Sequence, residues 1–132
     1  MMPINLAVQN FSLTSLSGEV QVVKFVNDLL EVAVKERASD VHIEPLEKIT
    51  RVRLRIDGFL CTAVEVPRNV NNAIVSRIKI ISGMDIAEKR LPQDGRVQLE
   101  VLERKVDLRI STLPVINGEK VVIRILDKSQ TL

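Results

Sequence analysis

Between Thr50 and Asp57 every second residue is apolar. Val52, Leu54 and Ile56 fall on one side of an extended chain, and Arg51, Arg53 and Arg55 on the other, because successive side chains of a strand point to opposite faces. Asp57-Gly58 then offers a hairpin turn, and Phe59 to Val66 reads as the returning strand, ended by Pro67. The alternation recurs in the last third of the chain. Val97, Leu99 and Val101 alternate with Gln98 and Glu100; Val106, Leu108 and Ile110 alternate with Lys105, Asp107 and Arg109. Asn117-Gly118 is a further turn signal. Val121 to Leu126 is apolar on both faces apart from Arg124, which marks a central strand.

Two segments carry a helical period instead. Val22, Val26, Leu29, Leu30, Ala33 and Val34 predict a helix from Glu19, with Ser17 as N-cap and an end near Ala38-Ser39. Val70, Ile74, Ile78 and Ile81 predict a second helix over Asn69 to Ser82, capped by Gly83. A short strand, Asp40 to Glu44, follows the first helix and ends at Pro45. Met84 to Arg90 is a polar connection with Ile86 and Leu91 as expected anchors. The class is α+β: two helices packed on mainly antiparallel sheets of roughly six strands. Spacing suggests two αβββ units without a sequence repeat. Residues 1–18 read as an arm or linker, 19–128 as the domain, and 129–132 as the start of a second linker.

The chain of 132 residues, 45% hydrophobic and 27% charged, has the length and composition of one soluble domain. Its net charge of +2 does not by itself argue for nucleic acid or a membrane surface. With Phe11, Phe25 and Phe59 as the whole aromatic set, the core is aliphatic and a stacking platform for single strands is lacking. Nucleic acid is therefore not an expected partner. The start shows no basic segment followed by an apolar run, and no stretch is long enough to span a bilayer, so the expected location is cytoplasmic.

Several chemistries find no residues. The glycines are Gly18, Gly58, Gly83, Gly95 and Gly118, and no pair has P-loop spacing. With His42 the sole histidine and Cys61 the sole cysteine, His-pair and Cys-based zinc sites are excluded. A Cys61–His42 nucleophile pair is conceivable; the competing reading is a small strand residue and a satisfied sheet histidine. By its residues the chain alone is not an enzyme, and neither cofactor nor metal is expected in it.

Arg90-Leu91-Pro92-Gln93-Asp94-Gly95-Arg96 is the densest functional stretch. Pro92 and Asp94-Gly95 predict a turn that brings Arg90 and Arg96 together. Arg109 follows on the next strand. Guanidinium groups so placed suit a phosphate or carboxylate. The alternative is that Arg96 and Arg109 only pair with Asp94 and Asp107.

The ordered blocks Ala38-Ser39-Asp40-Val41-His42-Ile43-Glu44-Pro45, Arg53-Leu54-Arg55-Ile56-Asp57-Gly58, Ser76-Arg77-Ile78-Lys79, Asp85 to Arg96, Val106 to Pro114 and Gly118 to Lys128 resemble a family signature. Their order and spacing are similar to those of type II secretion and type IV pilus assembly ATPases, over about Val22 to Lys128. The resemblance implies the PAS-like domain that precedes the RecA-like ATPase core, here without that core. It further implies a hexameric ring, a linker to the catalytic domain, ATP and Mg in the parent protein, and a place at the cytoplasmic face of the inner membrane beside the secretion or pilus platform. It also implies that Arg96 and Arg109, with Arg90 as a third candidate, reach nucleotide phosphates held by the catalytic domain of the same or a neighbouring subunit. A free-standing PAS-like interaction module is the alternative. Three positions depart from the family pattern. Leu102-Glu103-Arg104 lacks the usual Gly pair and suggests a longer or differently bent hairpin, Asn117 replaces a more usual His, and Lys89 replaces a frequent Arg.

Overall fold

A computed structural model describes residues 19–128. The expected arm, the Ser17 cap and the second linker lie outside the described residues. Helix α1 spans Glu19–Lys35, and β1 (Asp40–Pro45), β2 (Ile49–Ile56) and β3 (Phe59–Pro67) follow. A 3-10 turn (Arg68–Val70) leads into α2 (Asn71–Ser82), and β4 (Gln93–Val101), β5 (Arg104–Val115) and β6 (Gly118–Asp127) complete the chain. All six strands form one antiparallel sheet in the order β3-β2-β1-β6-β5-β4. The fold is α+β with two helices, as its periodicities predict, and β6 is central. The two αβββ units are not copies in space: β1 is the inner strand of the first, but β6 is the inner strand of the second.

Both helices cover the same face of the sheet. Val26, Leu29 and Ala33 of α1 and Ile74 and Ile78 of α2 meet Val41, Ile43, Val52, Leu54, Leu108, Ile110, Val121 and Ile123 in one core. The opposite face carries Arg51, Arg53 and Arg55 on β2, with comparable charges on its neighbours. Helix α1 stops earlier than expected. Arg37 takes a left-handed φ of 58°, Arg37 N–H donates to Val34 O (3.1 Å) and Ala38 N–H to Ala33 O (2.8 Å). This closes the helix as a Schellman motif without the glycine that would have signalled it. Helix α2 ends with the expected device, Gly83 at φ 72°, but it begins at Asn71, two residues later than the apolar stripe suggests.

Three local expectations change. Asp94-Gly95 is not a turn; both residues lie inside β4, opposite Ser111 and Ile110. Gly95 is needed there for space, since a Cβ would lie 2.9 Å from the Ser82 carbonyl oxygen at the end of α2. The β4–β5 hairpin is not lengthened: Leu102 and Glu103 form a two-residue turn at φ 52° and 64°. Ile86 and Leu91 are exposed and anchor nothing. The connection from α2 to β4 is held by polar groups instead. Gln93 spans it, accepting from Asp85 N–H and donating to Asp85 O (both 2.9 Å), and Lys79 Nζ donates to Glu88 O.

Lys79 is the notable core residue. It is 1% exposed and its ammonium lies 2.9 Å from the Glu119 carboxylate. Asn71 extends this network, donating to Glu119 O (3.3 Å) and accepting from the Thr50 hydroxyl (3.2 Å). The network thus ties α2 to β2, β6 and the connection before β4. Removing one member strands a buried charge, whereas removing both does not. Lys79→Met alone should lose about 3–5 kcal/mol of unfolding free energy in urea, and Lys79→Met/Glu119→Leu should regain most of it. Gly95→Ala should cost about 1–3 kcal/mol, read from the same urea curves, because the clashing atom is backbone.

Candidate functional site

Register places five charged residues in one line across the open face of the sheet. Arg55 on β2 is opposite Asp40 on β1, Asp40 is opposite Arg124 on β6, Arg124 is opposite Arg109 on β5, and Arg109 is opposite Arg96 on β4. Directly paired residues of antiparallel strands share a face with their Cβ atoms about 5 Å apart. The Asp40 carboxylate lies 3.2 Å from Arg124 Nε and 3.5 Å from Arg55 Nε. Further along the line three guanidinium groups stand side by side. Among the described residues no carboxylate oxygen lies within 4 Å of Arg96 or Arg109.

The two aspartates that could have paired with them are otherwise engaged. Asp94 accepts the Ser111 hydroxyl at 2.7 Å. Asp107 lies 3.1 Å from Lys128 Nζ, and the Lys128 hydrogen bond, aided by Gln98 and by the charges of Lys128 and Arg96, holds its carboxyl below the ordinary value. Like charges placed directly opposite one another destabilise a sheet. An arrangement of this kind is suited to an anion that bridges them, since each guanidinium offers a planar fork of donors to phosphate or carboxylate oxygens.

Two depressions flank the line. One, of about 790 Å³, is lined by Asp94, Arg96, Arg109, Ser111, Val122 and Arg124; the other, of about 300 Å³, by Ser39, Arg96, Asp107, Arg109, Arg124 and Leu126. The three arginines are common to both. Arg90 lines neither: it sits in the connection before β4, with a 90% exposed side chain 3.8 Å from Glu88. The turn expected to bring Arg90 beside Arg96 is absent, because Asp94-Gly95 continues the strand. Local sequence pattern does not mark Arg124 as a site residue, although it is the one charge in Val121 to Leu126.

The other half of the open face gathers its cations around one carboxylate. Glu44 on β1 faces Arg53 Nε at 2.8 Å, Arg51 Nε at 3.6 Å and Lys120 Nζ at 3.7 Å. Burial alone would push the Glu44 carboxyl up; the Arg53 hydrogen bond and the charges of Arg53, Lys120 and Arg51 outweigh it and hold the group below its ordinary value. His42, between these clusters, is lowered by burial and by Lys120, against the opposing pull of Asp40 and Glu44. Cys61 pairs with Leu54 on the core side and His42 with Arg53 on the open side, so they cannot act as a nucleophile and its base. Among the described residues no three His, Cys, Asp or Glu side chains converge as a metal-ligand set.

The family described as "Type II/IV secretion system protein" matches residues 15–132. The type II secretion system ATPase E of Vibrio cholerae is 45% identical over 123 residues, which are 93% of this chain and 24% of that protein. The type IV pilus assembly ATPase PilB of Myxococcus xanthus is 50% identical over 114 residues, 86% of this chain and 20% of that protein. The type II secretion system protein HxcR of Pseudomonas aeruginosa is 51% identical over 107 residues, 81% and 23% respectively. The chain thus spans about a quarter of the length of the curated relatives it matches.

The lowered carboxyl of Glu44 gives a pH dependence of defined sign. A group whose pKa is depressed on folding stabilises the fold above its unfolded value and loses that contribution as pH falls through the folded value. Stability of the chain should therefore drop below its unfolded value of 4.5, and Glu44→Gln should flatten that acid limb in melting temperature measured against pH.

Proposed function

This chain belongs to the type II/IV secretion system protein family, and on that premise we propose that it is a non-catalytic coupling and ring-packing domain of a secretion or pilus-assembly ATPase. Arg96 and Arg109, joined by Arg124, contact nucleotide phosphates that a RecA-like catalytic domain of the same or a neighbouring subunit holds in a hexameric ring. The observation that carries this reading is the line of three guanidiniums, two of them without a carboxylate partner among the described residues, over a depression of about 790 Å³. The donor set fits the phosphate end of ATP. The Mg that accompanies ATP would be held by the phosphates and the catalytic domain. When the two domains close, charge-assisted hydrogen bonds form between guanidinium and phosphate, so nucleotide state biases the angle between domains. That coupling is the means by which turnover moves the platform at the cytoplasmic face of the inner membrane.

A stand-alone protein-interaction module is a second reading, favoured by the apolar tip of the β5–β6 hairpin, where Leu113, Val115 and Ile116 are exposed and Ile116 is 99% so. The two readings part on one measurement. In a ring ATPase carrying this segment, Arg96→Gln and Arg109→Gln should each lower kcat for ATP by at least about ten-fold, the worth of one charge-assisted hydrogen bond to phosphate, with an unchanged melting temperature. Wild-type turnover in both variants would remove the phosphate role and leave the interaction module.

A further inference from the structure

We infer that Asp40 is a positioning residue for the arginine line: it fixes Arg124 through Nε and leaves the terminal nitrogens of that guanidinium for an incoming phosphate. The inference rests on the phosphate reading above. Asp40 sits on β1 at the middle of the sheet with an 8% exposed side chain. It accepts from the Ser39 hydroxyl at 3.0 Å and from Arg124 Nε at 3.2 Å, and Arg55 Nε lies 3.5 Å away on its other side. Arg124 is otherwise 73% exposed on its side chain. A long exposed side chain gives up rotamer freedom when it binds, and one already tethered gives up less. Arg124 also stands directly opposite Arg109, a like-charge pairing that disfavours this placement and that the Asp40 carboxylate offsets.

Position and charge pull in opposite directions here. Asp40 is an anion close to an anion site, so deleting it raises the local positive potential and, on electrostatics alone, tightens phosphate binding. Deleting it also frees Arg124, which weakens binding. Weaker binding is therefore the outcome expected of a positioning residue, whereas deleting a purely structural carboxylate leaves affinity equal to or above the parent.

The experiment is a titration of the 132-residue chain with inorganic tripolyphosphate, followed by NMR through the arginine Nε–Hε and backbone amide signals. Asp40→Ala should weaken binding about three-fold, the cost of ordering one rotamer-rich side chain. Asp40→Asn, which keeps an acceptor for Nε, should fall between that variant and the parent. Affinity of Asp40→Ala equal to or above the parent overturns the inference. Should Asp40→Ala fail to fold, Asp40→Asn decides: it should bind more weakly than the parent, and affinity equal to or above the parent overturns the inference. Arg109→Gln separates the two levels. If it loses binding while Asp40→Ala does not, only the positioning role fails. If it binds like the parent, or the parent does not bind, the phosphate reading fails and this inference with it.

Discussion

The sheet is covered on one face only, and most of the molecule follows from that constraint. With both helices on one side, strand alternation sends Val, Leu and Ile inward and the charged residues outward on the same open face. Antiparallel register then decides which charges meet. Arg96, Arg109 and Arg124 come from three separate strands, yet they form a row because each occupies an outward position opposite the next. A one-residue slip in any of these strands would bury an arginine and expose a core residue, so the row is as well determined as the core.

The buried Lys79–Glu119 pair works at a different level. Burial of an ion pair contributes little net stability, but its removal by halves is costly, which makes it a device for specifying one arrangement. Here it joins α2 to β6 and, through Glu88 O, to the connection that leads into β4. Gly95 adds a steric condition at the same place, since β4 passes close against the last turn of α2. Together they set the seat of the edge strand that carries Arg96. Across the open face, Glu44 gathers Arg51, Arg53 and Lys120, Asp40 divides its charge between Arg55 and Arg124, and Arg96 and Arg109 at the β4–β5 end have no carboxylate within ion-pair distance among the described residues.

Much of this is visible in local pattern. Alternation marks β2, β4 and β5, the 3.6-residue stripes mark both helices, and Asp57-Gly58 marks its hairpin, with φ of 52° and 84° at the two positions. The errors share a cause. Asp94-Gly95 is a good turn dipeptide in isolation, but the β5 partner supplies pairing on one side and α2 demands a residue without Cβ, so tertiary packing overrides the local preference. Arg37, Leu102 and Glu103 adopt left-handed conformations that their side chains do not advertise. Ile86 and Leu91 look like anchors by composition, but the connection they lie on is held by Gln93 and Lys79.

The amino-acid sequence by itself determined the α+β class, the faces of the strands, and Arg96 and Arg109 as candidate residues, because these depend on periods of two and 3.6 residues and on side-chain chemistry. The tertiary structure alone decided that Arg124 joins them, that Arg90 does not, and that Asp40 stands behind the row. Those facts depend on which strands are neighbours and in what register, and pairing between residues as far apart as Asp40 and Arg124 is set by how the whole core closes.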